Sequence, residues 1–175
     1  MLLPTGKDGP MDPSWSPDGK SIAYSIGGGF SGRFHELWML NLTTQRTTKV
    51  PGSDGLWSPR WSPDGKYIAA LGGNPSKLWL FNFATQKWSE LASGDPNWPN
   101  WSQDSQSVYV ILAANRSAVR VNISDRKVQT VASFSGFPST AVGFSGWFGL
   151  SWDDRPITTR DTGIEEIYAF DLEYR

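Results

Sequence analysis

The feature that most constrains this chain is an octapeptide that returns. Pro13-Ser14-Trp15-Ser16-Pro17-Asp18-Gly19-Lys20 comes back as Pro59-Arg60-Trp61-Ser62-Pro63-Asp64-Gly65-Lys66, then as Pro99-Asn100-Trp101-Ser102-Gln103-Asp104-Ser105-Gln106, and in worn form as Gly149-Leu150-Ser151-Trp152-Asp153-Asp154-Arg155. With Trp15, Trp61, Trp101 and Leu150 taken as equivalent, the spacings are 46, 40 and 49 residues. A period of roughly 40–50 residues belongs to propeller blades and to helical arrays, so strand or helix content decides between them.

Each repeat has the same internal order. In Ser-Pro-Asp-Gly the proline presets φ for a type I turn, the aspartate accepts local backbone hydrogen bonds, and the glycine takes the left-handed position. Asp18, Gly19, Asp64, Gly65, Asp104 and Asp153 are therefore read as structural turn residues. Short β-type runs follow, as in Tyr67-Ile68-Ala69-Ala70-Leu71, then a loop, then alternating runs such as Glu36-Leu37-Trp38-Met39-Leu40-Asn41-Leu42, Lys77-Leu78-Trp79-Leu80-Phe81-Asn82-Phe83 and Glu166-Ile167-Tyr168-Ala169-Phe170-Asp171-Leu172. Polar turns lead into a fourth strand at Thr47-Thr48-Lys49-Val50 and Ser89-Glu90-Leu91. Runs this short with apolar residues on both faces suit strands packed between neighbouring sheets, and no window sustains helical spacing for ten residues without meeting Pro, Gly or a turn.

Four strands per repeat make a propeller blade. The expected fold is all-β, a single β-propeller domain over 1–175 with four four-stranded blades at about 7–50, 51–93, 94–133, and 134–175 plus 1–6. In that scheme the orphan Leu2-Leu3-Pro4-Thr5-Gly6 is a fourth strand that completes the last blade and closes the ring, removing sheet edges. Ten Trp, 18 Gly and 12 Pro in 175 residues fit short strands and tight turns better than helices.

Trp-Ser-Pro-Asp-Gly-Lys, a β-run and Glu-Leu-Trp-Met-Leu-Asn-Leu together resemble the TolB-like, WD-repeat-like β-propeller repeat family of bacteria. The resemblance covers essentially the whole chain and is most specific in the first two repeats. It implies a non-enzymatic binding or scaffold module, the C-terminal sensory or protein-interaction part of a larger bacterial protein. The alternative it implies is the substrate-gating propeller of a prolyl-oligopeptidase-type peptidase whose catalytic domain is absent. Propellers of the family usually carry six to eight blades and this chain supplies four. A piece of a longer protein, a closed four-blade ring, and a homodimer completing a larger ring all remain open.

The chemistry-like motifs resolve in favour of structure. Gly27-Gly28-Gly29-Phe30-Ser31-Gly32 has dinucleotide-loop spacing but leads into a strand, where a pyrophosphate site needs a helix N-terminus. Gly143-Phe144-Ser145-Gly146-Trp147 lacks the last glycine of a nucleophile elbow, and the single histidine, His35, has no partner nearby in sequence. No enzyme activity, cofactor or metal is expected: the recurring aspartates lie a blade apart, whereas calcium gathers oxygens at one point. Sixteen basic against 17 acidic residues exclude the cationic footprint of nucleic-acid binding. The opening Met1–Asp8 has neither a basic n-region nor an apolar run, so a cytoplasmic protein is expected as the chain stands, or a periplasmic one if a leader precedes it.

Trp15, Trp61 and Trp101 recur at blade period and are read as packing between blades. Trp57, Trp98 and Trp147 are read as lying ahead of the first strands, in connections that gather on one face of a propeller. With Arg60 and Asn100, and Asp54 nearby, they form the candidate surface for a protein or small-molecule ligand. The long stretch 133–146 is a second place to look.

Overall fold

A four-residue turn, Ser-Pro-Asp-Gly in the first two sheets, Ser-Gln-Asp-Ser in the third and Ser-Trp-Asp-Asp in the fourth, reverses the chain between the first two strands, and the same clasp is built each time. The computed structural model describes residues 9–27, 35–136 and 147–159. The N–H of the turn's fourth residue donates to the carbonyl of its first in Gly19→Ser16, Gly65→Ser62, Ser105→Ser102 and Asp154→Ser151, at 2.9 to 3.1 Å. The serine hydroxyl donates to the aspartate two residues on, at 2.6, 2.7, 2.6 and 2.5 Å for Asp18, Asp64, Asp104 and Asp153. It also accepts the N–H that opens the next strand, from Ser21, Tyr67 and Ser107. These bonds are local and close loops of only a few residues, so little chain entropy opposes them.

Fourteen strands result among the described residues. β1 (Pro10–Trp15), β2 (Ser21–Ile26), β3 (Glu36–Asn41) and β4 (Arg46–Lys49) form blade A in the order 1-2-3-4. β5 (Leu56–Trp61), β6 (Tyr67–Gly72), β7 (Lys77–Asn82) and β8 (Lys87–Ala92) form blade B. β9 (Pro96–Trp101), β10 (Ser107–Leu112), β11 (Ser117–Asn122) and β12 (Val128–Ser133) form blade C. β13 (Phe148–Leu150) and β14 (Pro156–Thr158) are a two-stranded antiparallel sheet at the place of the fourth repeat, labelled blade D. The described residues contain no helix, hence none long and apolar enough to cross a membrane. The expected closing strand 2–6, the run 166–172 and most of 133–146 lie outside the described residues. So do Gly28–Gly32; the strands on either side of them, β2 and β3, pair antiparallel from Ile26↔Glu36 to Ser21↔Asn41.

The third strand of each full blade ends on an asparagine that organises the next turn. Asn41 Oδ1 accepts the N–H of Thr44, Asn82 those of Ala84 and Thr85, and Asn122 those of Ser124 and Asp125. Gln45, Gln86 and Arg126 then take the left-handed conformation, with φ of 55, 55 and 62°.

Period-two alternation divides each central strand between two cores. In β6, Ile68 and Ala70 face the A–B boundary while Ala69 and Leu71 face the B–C boundary. In β10, Val108 and Val110 join the B–C core while Tyr109 and Ile111 join Phe148 at the C–D boundary. This is why those strands read as continuous apolar runs. Trp61 packs into the A–B core and Trp101 into the B–C core, each at the boundary with the preceding blade. Trp15 holds the equivalent position in blade A and is 60% exposed, so packing between blades describes Trp61 and Trp101 but not Trp15 among the described residues.

Candidate functional site

The first strands of successive blades lie against one another, β1 on β5, β5 on β9 and β9 on β13, and each pairs with a strand of its own sheet on one side only. They form the inner edge, a row of backbone groups without ladder partners. Unpaired edges recruit other strands; here side chains of the adjacent blade occupy them. Ser14 Oγ accepts the Trp61 N–H at 2.9 Å, Trp101 Nε1 donates to the Arg60 carbonyl at 2.8 Å, and Asn100 Nδ2 donates to the Phe148 carbonyl at 3.3 Å.

Each full blade also carries a bulge at one position of this edge. The register slips by one residue between Met11 and Ser14, between Trp57 and Arg60, and opposite Tyr109–Ile111 in β9. In every case the extra residue is left-handed and precedes a proline: Asp12 at 52°, Ser58 at 54° and Trp98 at 55°. A non-glycine residue there costs on the order of 1 kcal/mol. Bulges of this kind re-aim side chains.

The bulges bring three polar side chains together. Ser58 Oγ donates to Asp12 Oδ2 at 2.5 Å, and the Arg60 guanidinium meets Asp12 Oδ1 at 2.8 Å while also donating to the Pro59 carbonyl at 2.8 Å. Arg60 and Asp12 side chains remain 23 and 39% exposed, so the pair is solvent-reachable, with guanidinium N–H groups to spare. Trp57 lies beside the His35 ring at 5.6 Å and 48°, and His35 Nδ1 is buried without a hydrogen-bond partner. Asn100 spans from the Trp98 carbonyl to blade D.

Trp57, Trp98 and Trp147 are not the equivalent linker residues that the sequence suggests. Trp57 and Trp98 lie inside β5 and β9, because the bulge lets the strand continue past the proline. They are also one position out of register: Trp98 matches Ser58 and Asp12, whereas Trp57 matches Asn97. Both pack against core clusters, Trp57 on the B–C core and Trp98 on the C–D core. Trp147 precedes β13, is 49% exposed, and lies over Gly149, where an added Cβ would come within 2.6 Å of the indole. Asp54 belongs elsewhere: it pairs with Lys49 at 2.7 Å, which also holds Glu36 at 2.6 Å.

Asp12 and Ser58 escape a reading based on aromatic content. Their signal is positional, since a residue followed by proline stands three places before Trp15, Trp61 and Trp101 alike. The turn aspartates are held below the ordinary carboxylate range, first by the serine hydroxyl in Asp18, Asp104 and Asp153; in Asp64 burial pushes upward and the Ser62 and Lys66 hydrogen bonds outweigh it. Each carboxylate accepts hydrogen bonds from its own turn, and among the described residues no three His, Asp or Glu side chains group to hold a metal.

No family model and no curated protein matches this sequence. Solved structures do. TolB from Acinetobacter baumannii superposes with a TM-score of 0.64 at 18% identity, over 82% of this chain and 35% of that one. A putative TolB from Agrobacterium tumefaciens gives 0.59 at 17% identity over 74% of this chain and 50% of that one. The β-propeller domain of the Trilobed protease from Pyrococcus furiosus, described as having an open velcro topology, gives 0.57 at 18% identity over 70% and 41%. The fold is thus the β-propeller fold of TolB and of peptidase propeller domains, and the chain spans a third to a half of those proteins' lengths.

Proposed function

We propose that this chain is a non-enzymatic binding module that holds a protein or small-molecule ligand at the inner edge of its blades. What carries the reading is the Asp12–Ser58–Arg60 cluster: three polar side chains from two blades converge through two strained bulges, Ser58 buried beneath and Asp12 and Arg60 still reached by solvent. Strain that recurs at one position and delivers hydrogen-bonding groups to an accessible surface is the pattern of a built site. Arg60 supplies planar N–H donors, Asp12 acceptors, and the exposed face of Trp147 an aromatic surface.

The test is capture from a lysate of the native host by the purified chain, side by side with Arg60→Glu. A ligand retained by the wild type and lost by a variant with an unchanged circular dichroism spectrum supports the reading. Equal retention by both removes the inner edge as the site.

A second reading, the gating propeller of a peptidase, draws on the likeness to the Trilobed protease domain. A Gly-x-Ser-x-Gly motif downstream in the same coding sequence favours it, and an upstream winged helix favours the binding module. The proposal extends to self-association: Trp15 stands exposed where Trp61 and Trp101 each pack toward a preceding blade, and a second copy would cover it.

A further inference from the structure

At the end of the sheets opposite the bulges, a groove of about 480 Å³ runs between blades B and C. It exists because the repeat changes there. In blade B the residue after the strand-ending asparagine is Phe83, stacked on Trp61 at 5.2 Å and 17°. In blade C the same position is Ile123, and Trp101 stacks instead on Tyr67. The smaller side chain leaves a space floored by Leu80, Ile123 and Tyr67.

The groove's charge is one-sided. Arg126, left-handed at the tip of its turn, reaches from blade C to the Glu90 carbonyl at 2.5 Å and the Ser89 hydroxyl at 3.1 Å. Both partners are neutral, so the guanidinium is positioned without losing its charge to a carboxylate. Lys87 lines the same groove and has no ion pair among the described residues. Asp64 is the one carboxylate lining it, and it is taken up by Ser62, the Lys66 N–H and the Lys66 ammonium at 3.2 Å. In a chain of formal charge -1, a cavity with an apolar floor and two uncompensated cations is complementary to a ligand that is acidic and partly apolar.

We propose that this groove is a second binding site, one for an acidic peptide that sets a carboxylate between Arg126 and Lys87 and an apolar side chain on Leu80 and Ile123. It lies away from the Asp12–Ser58–Arg60 cluster and stands or falls independently of it.

The test uses a capped tetrapeptide of alternating leucine and glutamate, with its glutamine counterpart, titrated into the ¹⁵N-labelled chain and followed by amide shifts and calorimetry. The expected result is shifts at Lys87–Ser89 and Ser124–Lys127, and binding roughly tenfold weaker for the glutamine peptide and for Lys87→Glu. Ile123→Phe rebuilds the filled arrangement of blade B; it is expected to melt no lower than the wild type and to lose the peptide. Absence of binding, shifts confined to the inner edge, or equal affinity for the glutamine peptide overturns the proposal. Lys87→Glu, a surface change, decides the matter by itself if Ile123→Phe folds poorly.

Discussion

The Ser105 hydroxyl accepts the backbone N–H of Asp64 at 3.0 Å, joining the first turn of blade C to that of blade B. Ser105 stands where Gly19 and Gly65 stand, with φ of 59°. Blade D is joined to blade C from the same turn position but to a donor one residue earlier: Asp154, at 61°, accepts the Gln103 N–H with its carboxylate at 3.1 and 3.3 Å. That N–H is available because Gln103 replaces the proline of the first two turns. Between blades A and B the corresponding residues are Gly65 and Pro17, and a Cβ at Gly65 would come within 3.3 Å of the proline ring. What looks like decay of the repeat is therefore a change in how neighbouring turns are joined.

Ser105→Ala keeps the left-handed strain and loses the bond, so it is expected to destabilise by about 1–2 kcal/mol. Ser105→Gly loses the same bond but relieves the strain, and is expected to fall within about 0.5 kcal/mol of the wild type. Urea denaturation of the two variants measures the difference, and an Ala variant as stable as the Gly one would refute this account of the turn.

Asp12→Ala leaves Arg60 half-buried without its carboxylate and Ser58 without its acceptor. A loss of about 1–2 kcal/mol is expected, discounted for the exposure of the pair. Paired with Arg60→Ala in a double-mutant cycle, the coupling should be favourable by about 1 kcal/mol; zero coupling would make the contact incidental.

The turn aspartates set an acid limit. Hydrogen bonds lower the folded-state value of Asp18, Asp104 and Asp153 below the ordinary 3.8, so the folded state binds protons less readily than the unfolded one. Their stabilisation is complete above that value and is lost as pH falls through the lowered ones. Asp104→Asn should show a shallower stability loss between pH 4 and 2, on the order of these carboxylate values, in denaturation curves taken across that range. An unchanged slope would show that this turn does not set the limit.

Trp101→Ala empties part of the B–C core and orphans the Arg60 carbonyl, with an expected cost of about 2–4 kcal/mol. Trp15→Ala should cost less than about 1 kcal/mol in dilute monomer, since the side chain is exposed. If a second copy covers Trp15, light scattering behind a sizing column gives twice the chain mass, and Trp15→Lys returns it to 19.4 kDa. A wild type that runs at 19.4 kDa at high concentration counts against self-association.

The blades were legible because their causes are local or periodic. A proline, an aspartate and a left-handed residue suffice to turn the chain, and alternation in Ile68–Leu71 states that the strand is covered on both sides. The candidate site was legible only in part. Arg60 was within reach, being beside the repeated Trp61, but its partner Asp12 is 48 residues away and on another blade. Trp57 and Trp98 looked alike because both precede a proline-containing stretch; a one-residue difference, which swaps the face of a strand, separates them.

Sequence alone determined the repeat, the all-β character, the turn chemistry and the number of blade-like units, because each follows from interactions among residues close in the chain or from a period in hydrophobicity. Only the tertiary structure decided which left-handed residues form bulges, that Asp12, Ser58 and Arg60 converge, that Trp15 lacks the cover its equivalents have, and that Ile123 opens a groove. Those outcomes depend on how one blade is set against the next. The physical reason is that the contacts between blades join side chains some 40 residues apart at distances of a few ångström, and no local propensity encodes which of them will meet.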